Sequence, residues 1–262
     1  MKRRAIGLTN REMLFMAVPV LCVASLNIST KPLWALLHFA GLDNGCSFAR
    51  ALDAEAGILR QNRISEQIQG ASTMEVDKAA GLVKWTTPSG MFWAPPGTAV
   101  GFLLSEQKIR IYGDGPRRVQ PGDVVLDCGA NIGTFTREAL DAGAAKVVAI
   151  EPSERNVECL RRNFAKEIAE GKVVVYPKGV WHREEVLEFN VFENSALDSL
   201  VMSERIEESN APRKVRVPVT TVDRLVAALG LEKVDFIKMD VEGAERNAIR
   251  GAAATIRKMR PR

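Results

Sequence analysis

Lys238-Met239-Asp240-Val241-Glu242-Gly243-Ala244-Glu245 packs three carboxylates and an ammonium group into eight residues. They run on from the apolar Phe236-Ile237, so the cluster sits at the end of a short buried strand. Strand alternation sends Lys238 and Asp240 to one face and Met239 to the other. A charged pair among apolar neighbours is costly unless it is paired or functional. Asp240 and Glu242 are therefore candidate bases for an acceptor proton. Lys238 is the candidate for orienting a carboxylate or an acceptor oxygen. Glu245 stands where a helix begins, a place that favours negative charge, so helix capping competes with a role in the site.

A second group is Asp127-Cys128-Gly129-Ala130-Asn131-Ile132-Gly133, which follows the strand Val124-Val125-Leu126. Glycine lets the backbone come close to a ligand, and the helix opening beside Gly133 offers free amides. A dinucleotide site prefers GxGxxG with a pyrophosphate over the helix start. Here the pattern is DxGxxxG. The acidic Asp127 suits a ligand with an amino group and a sulfonium better than one with a pyrophosphate. Glu151 ends the next strand, where a carboxylate can accept both hydroxyls of a ribose. Pro152 and the capping Ser153 then open another helix.

The elements that must carry these residues alternate regularly from residue 121. Strands are expected at Val124 to Leu126, Val147 to Ile150, Val173 to Val175 and Phe236 to Met239, with an extra alternating strand at Val186 to Phe192. Helices are expected from Gly133 to Ala142, after Ser153 with Val157, Leu160 and Phe164 on one face, and from Ala244 to Ile256. Short apolar strands alternating with helices imply a parallel α/β sheet. Before that, residues 1–80 read as an apolar and helical extension, in which Phe48, Leu52, Ala56 and Leu59 recur at helical spacing. Residues 81–120, rich in Trp, Pro and Gly, read as a cap or entrance hairpin.

The chain has 262 residues, of which 46% are hydrophobic and 26% charged, with a formal net charge of +4. That balance is ordinary for a folded domain and too weakly basic to imply nucleic acid. Cys22, Cys46, Cys128 and Cys159 fit no zinc or redox spacing, and with only His38 and His182 a His-rich metal site is excluded. Cys128 and Cys159 read as buried small hydrophobes. Reduced thiols suit the cytosol. Residues 1–41 hold two apolar runs, Met13 to Ile28 and Leu33 to Gly41. Each is shorter than the roughly 20 residues a spanning helix needs. A packed helical arm, a membrane-surface element and a poor signal anchor all remain open for them.

Four stretches together resemble the FkbM family of methyltransferases: Asp127 to Gly133, Ala149-Ile150-Glu151-Pro152, Thr220-Thr221-Val222-Asp223-Arg224-Leu225, and Phe236 to Glu245 followed by Gly251-Ala252. The resemblance covers roughly residues 100 to 257. It implies a Rossmann-like class I methyltransferase fold over residues 121–262 and S-adenosylmethionine as donor. It also implies a hydroxyl acceptor on a sugar, glycan or natural product. By resemblance, Asp127, Gly129, Ala130, Asn131, Gly133, Glu151, Pro152, Asn156, Gly179 and Val180 would line the cofactor. Lys238, Asp240 and Glu242 would face the methyl group and acceptor, and Glu106 and Tyr112 would reach the pocket from the preceding segment. No catalytic metal is expected.

A full sheet of this class has seven strands, and only four parallel core strands can be counted. The fold is therefore expected to lack its C-terminal strands, with Pro261 placed where the next strand would be introduced. A bare edge at Phe236 to Met239 would invite a second copy. A non-catalytic or incomplete binding module is the alternative to an enzyme.

Overall fold

The computed structural model describes residues 48–191 and 213–262. The chain divides into two compact units, Met1–Asn62 and Arg63–Arg262. The apolar runs before residue 42 lie outside the described residues. No described helix is long and apolar enough to cross a membrane.

Helix α1 (Phe48–Gly70) contains no proline and ends at glycine. Its buried face is set by Ile64 and Ile68, one turn apart, while Ile58 and Leu59 are exposed. Strands β1 (Thr73–Asp77), β2 (Leu82–Thr87) and β3 (Gly90–Ala94) follow as an antiparallel meander. Strand β1 falls in a stretch expected to be helical. Ser72 stops that reading by turning its hydroxyl onto the Ile68 carbonyl at 2.6 Å. The Asp77 carboxylate closes the first turn by accepting the amides of Ala79 and Ala80. Helix α2 (Val100–Ile109) follows, within the stretch read as a cap or entrance hairpin. Val100, Leu103 and Leu104 are buried at helical spacing, and Arg110 ends the helix in the left-handed region.

The main sheet comes next. Strand β4 (Val124–Cys128) leads to α3 (Thr134–Asp141), β5 (Lys146–Ile150), α4 (Glu154–Asn163), α5 (Ala165–Ala169) and β6 (Val173–Tyr176). A separate three-stranded sheet holds β7 (Gly179–Val180), β8 (Glu185–Val191) and β9 (Arg213–Thr220) in the order β7-β9-β8. Helix α6 (Val222–Ala228) returns the chain to β10 (Phe236–Met239), and α7 (Glu245–Arg250) and α8 (Ala253–Met259) close it. The one helix expected from Ala244 to Ile256 is two, separated at Gly251-Ala252.

The four expected core strands form one wholly parallel sheet in the order β10-β4-β5-β6. The Rossmann-like α/β class read from the sequence is thus the fold observed. Alternate residues feed two cores. Val125, Val147 and Phe236 pack with Phe135 and Ala139 of α3. Leu126 and Val148 pack with Val222, Leu225 and Ala248. Side chains this fully buried contribute roughly 1.5–3 kcal/mol each relative to exposure. At the β10 edge the Arg262 amide donates to the Asp235 carbonyl and the Ile237 amide donates to the Arg262 carbonyl, both at 2.9 Å. Those two bonds are the pattern of a parallel strand beside β10.

The meander is tied to this sheet. Ile132 and Cys159 belong to the same core as Phe92, Ala94 and Leu104. The Asn163 side chain at the end of α4 bonds the Trp93 backbone twice and the Ile132 carbonyl once.

Candidate functional site

Strands β4, β5 and β6 lie in chain order, and β10 then joins on the other side of β4. The direction of winding reverses there, and open α/β sheets bind ligands at the carboxyl ends of strands beside such a reversal. A cleft of about 390 Å³ opens at that place. Gly129, Ala130, Asn131, Glu151, Pro152, Asn156, Gly179 and Val180 line it, together with Lys238, Asp240 and Glu242. Glu106 and Tyr112 also reach it, from α2 and the segment after it.

Asp127 and Gly133 differ from the expectation, for they are not among the lining residues. Asp127 is fully buried beneath the cleft. Its carboxylate accepts from the Thr136 hydroxyl at 2.7 Å and lies 3.3 Å from the Lys238 ammonium. These contacts tie it to α3 and to β10. Gly133 caps α3 with φ of 91°, and a Cβ there would stand 2.2 Å from the Phe164 ring. Its lack of a side chain serves helix packing.

Gly129 is shaped by close approach. With φ of 78°, a Cβ on it would lie 1.9 Å from the Asp240 carbonyl oxygen. The β4 loop and the β10 loop therefore touch backbone to backbone. Lys238 bridges them, donating to the Gly129 carbonyl at 2.7 Å. Glu151 braces the other side. One carboxylate oxygen accepts the Asn131 amide at 2.8 Å and the other the Ser153 amide at 2.9 Å.

The acidic end of the cleft is built around Tyr112. Its hydroxyl donates to Asp240 Oδ2 at 2.6 Å, and its ring lies edge-on to Phe135. The Lys238 ammonium sits 5.2 Å from the same ring, a cation–π distance. Burial first, then the bond to Asp240, raises the phenol above its ordinary range. Glu106 is half-buried. Desolvation, then the negative charge of Asp240, carries its carboxyl from 4.5 up to about 7, with Glu242 adding to the rise and Lys238 opposing it. Glu242 is raised as well, by burial and then by Asp240 and Glu245. Glu245 turns back instead and accepts the amides of Val241 and Gly243, both at 3.1 Å. It braces the β10 loop, which settles the competition in favour of a structural role.

Sequence reasoning gave no warning of Phe102, Gln107, Thr134, Lys178 and Phe189, which also line the cleft. They stand on α2, the start of α3, the β6–β7 turn and β8, and no motif marks them. Asn156 has the best local signal of a ligand. It is fully buried, and neither its amide oxygen nor its nitrogen has a hydrogen-bond partner. Buried amides are rarely left so. Cys128 and Cys159 are buried free thiols, as expected, each pushed up to about 12 by burial. No group of His, Cys, Asp and Glu among the described residues is arranged to hold a metal ion.

Comparisons with known proteins bear on this geometry. The chain is 25% identical over 157 residues to the 31-O-demethyl-FK506 methyltransferase FkbM of Streptomyces tacrolimicus, spanning 51% of this chain and 60% of that protein. A crystal structure of methyltransferase FkbM from Methylobacillus flagellatus aligns with a TM-score of 0.41 and 14% identity, over 97% of this chain and 59% of that one. A tRNA methyltransferase of M. jannaschii aligns with a TM-score of 0.23 and 22% identity, over 40% of this chain and 28% of that one. The chain thus spans about three-fifths of the length of the first two relatives. The model of the methyltransferase FkbM domain matches residues 127–262, from the buried Asp127 to the Arg262 that pairs with β10, and the chain belongs to that family.

Proposed function

We propose that this chain binds S-adenosylmethionine in the cleft at the carboxyl ends of β4, β5 and β10 and supports transfer of its methyl group to a hydroxyl. The acceptor class is a sugar, glycan or natural product. The relative named for 31-O-demethyl-FK506 belongs to the last kind. The observation that carries the reading is the charge of the cleft. Four carboxylates line it, Glu106, Glu151, Asp240 and Glu242, against two lysines, Lys178 and Lys238. Such a site favours a cationic sulfonium and disfavours the two phosphates of a dinucleotide.

The residues fit the group. Asn156 offers an unused donor and acceptor to a buried polar ligand. Glu151 stands at the end of β5, where a carboxylate can accept the hydroxyls of a ribose. When bound, the cofactor supplies an electrophilic methyl carbon. What remains for the protein is to align the acceptor and take its proton. Lys238 spends its ammonium on Asp127 and the Gly129 carbonyl, so its part is to fix the β4 loop against the β10 loop. Phe102 and Phe189 give the cleft an apolar side on which the acceptor can exclude water.

Calorimetry with S-adenosylhomocysteine and with a nicotinamide dinucleotide tests the reading. The nucleoside is expected to bind and the dinucleotide to bind poorly. Tighter binding of the dinucleotide would remove the proposal.

A further inference from the structure

The cleft holds four carboxylates, and three of them are committed. Glu151 accepts two backbone amides. Asp240 accepts the Tyr112 hydroxyl at 2.6 Å, a length typical of a strong charge-assisted bond. Glu242 sits on a loop residue in the left-handed region, with φ of 49°, and is also engaged. Glu106 is different. It projects from the rigid helix α2 into the cleft, and none of the hydrogen bonds among the described residues involves its carboxylate.

A general base needs an unused lone pair directed at the acceptor and a rigid mount. Asp240, the candidate suggested by sequence, spends an oxygen on Tyr112. We propose that Glu106 is the side chain that takes the acceptor proton, and that Asp240, fixed by Tyr112, is a positioning residue that sets the charge beside it. This rests on the methyl-transfer reading above. The acceptor oxygen forms a bond to the methyl carbon as the carbon–sulfur bond breaks, and that electron pair stays on sulfur as a thioether. The hydroxyl proton passes to a Glu106 oxygen, leaving a methyl ether and a neutral carboxyl that later returns its proton to water. The groups that bear on Glu106 are Asp240 and Glu242, which favour its protonated form, and Lys238, which opposes it. Tyr112 sits beside it as a neutral phenol. A carboxyl carried up to about 7 is matched to proton transfer near neutral pH. It is also sensitive to a cation: a sulfonium entering an acid cluster drives a proton off the carboxyl that holds one.

The test needs no known acceptor. Calorimetry of S-adenosylmethionine and S-adenosylhomocysteine binding is run at pH 7 in two buffers of different ionisation enthalpy, which counts protons released. The wild-type protein is expected to release a substantial fraction of a proton with the sulfonium compound and much less with the neutral thioether. Glu106→Gln should bind the neutral thioether within a few-fold of wild type, bind the sulfonium compound more weakly, and abolish the difference in proton release. Asp240→Asn should reduce it, because removing the neighbouring charge leaves Glu106 largely ionised beforehand. Carboxyl carbon NMR of each variant shows directly whether a glutamate titrating near neutrality is lost. An undiminished proton release in Glu106→Gln, or a Glu106 signal titrating in the ordinary carboxylate range, would overturn the assignment. Failure of the wild type to bind either nucleoside would be a failure of the cofactor reading itself.

Discussion

Lys238 and Asp127 are register partners on adjacent parallel strands, and their side chains meet as a buried ion pair at 3.3 Å. Neither charge has water to fall back on, with side chains 5% and 0% exposed. Such a pair adds little net stability over an apolar pair, but removing one partner leaves a bare charge in the interior. Lys238→Met is expected to cost about 3–5 kcal/mol, read from urea unfolding. Replacing both residues with apolar groups should cost less than the single change. A double variant that is less stable than Lys238→Met would show that the pair is not a closed unit.

Glu151 accepts two loop amides and is the residue proposed to hold the ribose. Glu151→Ala should weaken S-adenosylhomocysteine binding about ten- to a hundredfold, the equivalent of one charge-assisted bond at roughly 1.5–3 kcal/mol. Calorimetry reads it. Glu151→Gln should recover only part, because its amide group has a single acceptor oxygen for the Asn131 and Ser153 amides.

Gly129→Ala puts a methyl group against the Asp240 carbonyl in a backbone conformation that alanine resists. Strain of this kind costs of order 1–3 kcal/mol before the clash is counted. The expected outcome is a folded protein of lowered midpoint that has lost nucleoside binding, since the two loops must part. Circular dichroism and calorimetry on one preparation separate the two effects. Unchanged binding would mean that the contact between the loops does not shape the cleft.

Glu106 also makes stability depend on pH. Its carboxyl is raised from 4.5 to about 7 on folding, chiefly by desolvation. The folded state therefore holds the proton more tightly than the unfolded chain. The associated stability is fully present below pH 4.5 and is lost as pH rises through about 7. Water screens a half-exposed group, so the loss is limited to about 1–2 kcal/mol. Glu106→Gln has no such proton to lose. It should match wild type in denaturant midpoint near pH 4.5 and exceed it near pH 8.5. A constant difference between the two proteins across that range would refute this account.

The parallel sheet was legible because β4, β5, β6 and β10 are short unbroken apolar runs, which only a sheet covered on both faces accommodates. Strand β9 was not. Its sequence, Arg213 to Thr220, carries three basic residues and Pro218, and proline argues against a paired strand. The inward alternation of Val215, Val217 and Val219 is visible only once β8 is laid beside it. At the site, residues of the glycine loop and of the β10 loop were found because their types are rare at strand ends. The burial of Asp127 was not legible, since nothing local says that Lys238, more than a hundred residues away, is its neighbour. Glu106 and Tyr112 carry no motif in themselves, and what makes them functional candidates is their convergence on Asp240.

Asn163 has a reach beyond its own helix. Its Oδ1 accepts the Trp93 amide at 2.6 Å, while its Nδ2 donates to the Trp93 carbonyl at 3.0 Å and to the Ile132 carbonyl at 2.9 Å. One side chain thus imitates a passing peptide along β3 and at the same time grips the loop beside Asn131. The edge of β3 is denied to a foreign strand at that point. The loop and the meander are thereby fastened to one side chain of α4, so that replacing Asn163 would release β3 and the glycine loop together.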